Sequence, residues 1–174
     1  MSGSLVLIDS ETVTSSTATV ELTGIDSTYN VYQVVISNVT VDTDDALSMR
    51  VTKGGTAQTD SEYDDAKKYL KSDASSADIS NTNATQVDIT ATIDSGVSGA
   101  NGNGIYYLFN FTNASEYSFV SIDSVHFQYN DDCARGFVGG FVHTVSSASD
   151  GVQIKTKGGN NMESGEFKLY GIVK

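Results

Sequence analysis

Apolar and polar residues alternate along much of this chain with a period of two, the spacing of a strand with one buried face and one wet face. In "TATVELT", Ala18, Val20 and Leu22 share one side while Thr19, Glu21 and Thr23 share the other. "ALSMRVT" repeats the pattern with Leu47, Met49 and Val51, and "QVDITATI" with Val87, Ile89, Ala91 and Ile93. Further strands are expected at Leu5–Ile8, Tyr117–Ile122, Val125–Tyr129, Gly136–His143, Val152–Thr156 and Phe167–Val173. Turn-forming clusters such as "KGGT", "SGVSGANGNG", "NDD", "SSASDG" and "KGGNN" separate them.

Two runs, "VYQVVIS" and "IYYLFNF", are apolar on both faces. Such a strand is either covered on both sides within the fold or has an outer face that meets a partner. One stretch departs from the alternation. In "DSEYDDAKKYLKS", Tyr63, Ala66, Lys67 and Leu70 fall at helical spacing, with acids leading and lysines following as the helix dipole prefers. The same stretch also reads as an irregular strand bearing Tyr63 and Tyr69, and the polar "SDASSADISNTNAT" after it reads as a loop. The pattern predicts an all-β fold: one antiparallel β-sandwich over residues 1–174, jelly-roll-like, of about ten strands with at most one short helix, and with residues 1–4 as a short N-terminal arm.

Composition changes this picture little but narrows the function. Apolar residues make up 39% of 174, proline is absent, and 22 acids against 10 bases give a formal charge of −12. That charge repels phosphates and anionic lipid, so neither nucleic acid nor a membrane is an expected partner. A lone cysteine, Cys133, excludes an intrachain disulfide. No apolar run approaches the length of a membrane span, and "MSGSLVLIDSE" has no basic segment ahead of a long apolar one, which predicts a soluble chain made in the cytoplasm.

Chemistry-bearing residues are sparse. Cys133 between His126 and His143 suggests a thiol–imidazole pair, but "NDDCARG" sets carboxylates beside the thiol, which disfavours the thiolate. Oxygen clusters at Asp42, Asp44 and Asp45, at Asp60, Glu62, Asp64 and Asp65, and at Asn130, Asp131 and Asp132 lack the EF-hand frame. "GANGNGIY" leads into a strand, which leaves no helix N-terminus for a phosphate. The expectation is a chain with no catalytic residues, no metal and no cofactor.

Three frames carry a resemblance: "SLVLIDSETVTSSTATVELTGIDSTYNVYQVVISNV", "IYYLFNFTNASEYSFVSI" and "DGVQIKTKGGNNMESGEFKLYGIVK". Together they resemble a family of small virion structural proteins of tailed phages, and "DSEYDDAKKYLKS" departs from that family's pattern. The resemblance implies a non-enzymatic virion protein, foremost a capsid decoration or cement protein on the outer particle surface, made in the host cytoplasm. A tail-fibre or baseplate module that contacts the host surface is the alternative. Its implied partners are further copies of itself as a homotrimer, the major capsid protein or other virion proteins, and, for the tail role, a host surface glycan. The aromatic strand and the last strand supply the candidate subunit interface: Tyr106, Tyr107, Phe109, Tyr170 and Ile172. The last two runs are read as a closing hairpin turned by "KGGNN".

Overall fold

The protein is an antiparallel β-sandwich; the computed structural model describes residues 4–128 and 132–173. Among these residues there are thirteen strands and no helix. They are β1 (Leu5–Val13), β2 (Thr19–Thr23), β3 (Val31–Val41), β4 (Leu47–Lys53), β5 (Thr56–Ala57), β6 (Tyr63–Lys71) and β7 (Ser76–Ala84). They continue with β8 (Val87–Asp88), β9 (Gly102–Phe109), β10 (Ser118–Gln128), β11 (Cys133–His143), β12 (Gly151–Thr156) and β13 (Met162–Ile172). A large sheet runs β1-β13-β3-β9-β10-β11-β6-β7. A small one runs β2-β12-β4-β5, with β8 also on β4.

The alternation seen in the sequence builds the core between the sheets. From the small sheet come Val20, Leu22, Leu47, Met49, Val51, Val152 and Ile154; from the large one come Tyr32, Val34, Ile36, Tyr106, Leu108, Phe167 and Leu169, and all are buried. In "QVDITATI" only Val87 and Asp88 form a strand, yet Val87, Ile89, Ala91 and Ile93 still point inward. Tyrosine hydroxyls buried with them are satisfied: Tyr106 donates to the Ile89 carbonyl at 3.3 Å, and Tyr63 donates to Gln58 O while accepting from Val51 N–H.

One open alternative is decided and three expectations are corrected. The charged stretch is strand β6, because it is paired along its length to β11 on one side and β7 on the other, which outweighs a weak helical preference. The polar segment after it is not a loop but β7, an edge strand exposed along most of its length, and polar side chains suit an edge that must stay unpaired on its far side. The two expected strands flanking Asp123 are one, β10. Finally, the last two strands are not a hairpin: β12 lies between β2 and β4, and β13 between β1 and β3, so "KGGNN" carries the chain from one sheet to the other. Asp45 holds that crossing, its Oδ2 accepting from Gly158 N–H and Asn160 Nδ2 at 2.9 Å each. "KGGT", by contrast, is a two-residue hairpin loop whose Gly54 and Gly55 take the positive φ that a type I′ turn requires. Residues 1–3 of the expected arm, Tyr129, Asn130 and Asp131 lie outside the described residues.

Candidate functional site: the outer face of the large sheet

An isolated sandwich normally turns polar residues to water on both outer faces. The small sheet does so. Its outward positions are Thr19, Glu21 and Thr23 on β2, Gln153 and Lys155 on β12, and Arg50 on β4, whose Ser48 is buried and donates to Asp88 Oδ1. They bond to one another and to the adjacent loop: Gln153 Nε2 donates to Glu21 Oε1, Arg50 Nη2 to Gln86 Oε1, and Lys157 Nζ meets Asp88 Oδ2 at 2.6 Å.

The large sheet does not. Strand register sorts its outward residues into rows across the sheet. One row runs Ile172, Val31, Phe109, Phe119, Val142 and Asp64 from β13 to β6. The next runs Leu7, Tyr170, Gln33, Tyr107, Ser121, Gly140 and Ala66. The third runs Lys168, Val35, Ile105, Asp123, Val138 and Lys68, and Val125, Gly136 and Leu70 follow. Tyr107, Phe119, Val125 and Val138 leave 38%, 44%, 56% and 47% of their surface in water. Where Ser121, Gly140 and Ala66 meet, the small side chains leave an open groove of about 510 Å³ rimmed by Phe109, Phe119 and Val142. The glycine is fixed there by backbone contact, since a Cβ at Gly140 would lie 2.6 Å from Val120 O.

Four of the five candidate interface residues share this face: Tyr107 and Phe109 on β9, and Tyr170 and Ile172 on β13. Tyr106 does not. It is fully buried on the opposite side of β9, so it belongs to the core. "IYYLFNF" is apolar at both parities, and only pairing of Val34 with Tyr106 fixes which tyrosine turns inward. Sequence reasoning missed Phe119, Val125, Val138 and Leu70. Their signal was a second apolar set at alternate positions of strands already assigned to the core.

Of the two histidines, His126 lies across from Arg135, two residues along from Cys133 on the same inward face, and His143 lies far off. Cys133 and His143 sit ten residues apart on β11, roughly 33 Å at strand spacing. The thiol's hydrogen-bonding neighbour is Arg135 Nε at 3.4 Å. Burial pushes the pKa of both His126 and His143 down and so favours neutral rings; His143 Nε2 lies 3.3 Å from Glu62 Oε2, whose influence acts the other way. The acidic clusters tie loops together rather than converge. Asp42 accepts from Asn161, Asp44 from Ser95 N–H and Oγ, and these bonds hold both carboxyls below their ordinary range. Asp65 is buried against Lys67 at 2.7 Å, with Asn81 on its second oxygen. Among the described residues no group of three or more His, Cys, Asp and Glu is placed to hold a metal ion.

No protein-family model matches the sequence, and neither the curated proteins nor the solved structures yield a match.

Proposed function

We propose that the chain is a non-enzymatic structural module of a tailed-phage particle, of the capsid-decoration kind, with the sandwich as its displayed body. The observation that carries this reading is where the resemblance falls. Its three frames supply β1, β2, β3, β9, β10, β12 and β13. Six of these, with β4 and β8, make two sets of four: β1-β13-β3-β9 and β2-β12-β4-β8. That interleaving supports a jelly-roll reading, a two-sheet form that recurs in viral capsid and lectin domains. The stretch that departs from the family's pattern is β6, which together with β7, β10 and β11 widens the large sheet beyond those eight strands.

Fold alone names no activity, so the test is one of location. On a stained gel of purified particles the chain should appear in numbers comparable with the major capsid protein. Far fewer copies would instead favour the tail-associated reading, which draws its support from the aromatic rim of Phe109 and Phe119 beside the Gly140 groove. Absence from the particle would overturn both.

A further inference from the structure

We infer that the outer face of the large sheet pairs with the same face of a second copy of this chain, sheet on sheet about a two-fold axis. The pairing is read from the face itself and stands apart from the particle role proposed above.

Area is the first argument. Ile105, Tyr107, Phe109, Phe119, Val125 and Val138 each expose between 38% and 56% of their surface. At about 200 Å² for a large side chain, these six present on the order of 500 Å², and the flanking residues bring the face to roughly the 800 Å² per partner of a standard interface. A scattered surface residue needs no explanation, whereas a contiguous apolar face of this size does.

Symmetry is the second. One continuous patch can be covered whole by its own copy only in a two-fold, isologous arrangement; a threefold ring needs two different patches on each protomer. The trimer expected from the resemblance therefore does not follow from this surface. The register gives the axis a place. Let it run across the strands at the level of Tyr107, Ser121, Gly140 and Ala66, the row of the groove. The rows on either side then exchange: Val31 of one copy faces Val35 of the other, Phe109 faces Ile105, and Val142 faces Val138.

Charge is the third. On β6, Asp64 and Lys68 lie equally far on either side of Ala66, so the same axis sets each carboxylate opposite the other copy's ammonium. The facing sheets would pack about 10 Å apart and within roughly 30° of alignment, as sandwich layers do. Asp123 is the carboxylate set between Ile105 and Val138, and it would lie near Phe119 of the other copy.

The test is solution mass of the full chain by light scattering at micromolar concentration. The expected result is two chains, with Phe119→Arg weakening the pairing on the order of a hundredfold, as loss of a central anchor does. Gln153→Lys on the polar face of the small sheet should leave the mass unchanged. A single-chain mass, a three-chain mass, or a dimer indifferent to Phe119→Arg would overturn the inference; a thermal melt matching the parent shows that the variant is folded. A second measurement leaves the apolar rows intact. With Asp64→Cys and Lys68→Cys together, a short bifunctional maleimide should give a covalent dimer, since Cys133 is buried. Failure to cross-link would overturn the axis placed here.

Discussion

The two outer faces of this sandwich are built from the same kind of alternating strand and yet end up opposite in character. Outside the small sheet, Glu21, Gln153, Arg50 and Gln86 form a hydrogen-bonded polar layer. Outside the large sheet, Phe109 and Phe119 stand side by side between Val31 and Val142, and Ile105 and Val138 stand on either side of Asp123. Water satisfies the first and gains nothing from the second, so a free energy of roughly 25 cal/mol per Å² of covered apolar surface is available on one side only. The contrast teaches that strand periodicity shows that a chain has two faces, but not how many of them are buried.

The sharpest break comes from neighbours on one strand. Tyr106→Ala removes a fully buried ring and its bond to Ile89, and should cost about 3–5 kcal/mol in chemical denaturation. Tyr107→Ala, one residue on, should cost under about 1 kcal/mol of monomer stability, the range of surface substitutions, while weakening self-association. Equal losses would mean that the two faces are not distinct. Strand β6 offers the same contrast in charge. Lys67→Met strands the buried Asp65 and should cost about 3–5 kcal/mol, with Asp65→Leu added to it recovering much of the loss. Within one copy, Lys68→Met on the outer side loses only an exposed pair with Asp78, worth about 0–1 kcal/mol.

Proton binding separates the faces more gently. His126 and His143 both point inward, and burial lowers their pKa in the folded chain. The unfolded chain therefore takes up protons first as pH drops below the ordinary value of 6.5. Their contribution to stability should be intact above that pH and decline below it as pH falls toward the folded values, and a His143→Gln variant should show a flatter profile by thermal melt. Dimer mass, which uses no histidine, should hold between pH 8 and the onset of that decline. The smallest change should come from Asp123→Asn, which removes the carboxylate set between Ile105 and Val138 and should tighten pairing a few-fold by sedimentation equilibrium.

Much of the sandwich was legible in the sequence because β2 and β4 keep strict alternation and β3 and β9 each hold a run that is apolar at both parities. Three features were not. Asp65 and Lys67 look like solvated charges, and only β7 and Phe137, closing over them, make them an interior pair. The polar β7 has only Ile79 and Ala84 packed against the core to announce a strand, and is otherwise held by its backbone pairing to β6 and by Asn81 on Asp65. The separation of β12 from β13 was hidden because a five-residue glycine-rich turn serves an arch between sheets as well as a hairpin, and the sequence holds no mark of which partner each strand will take. The candidate face was half legible. Aromatic clustering pointed to β9, but its parity and its extension over β10, β11 and β6 are matters of register.

The place of β13 has a bearing on how the chain is made. Among the described residues β1 has only β13 as a partner within its sheet, more than 140 positions later by register. Until β13 has emerged, the large sheet is split between β1 and β3, and the apolar sides of both stay open. Closure of this sheet therefore waits until β13 has been made and inserts between two strands that precede it by more than 100 positions, and meanwhile the open edges of β1 and β3 suit chaperones that shield strand edges.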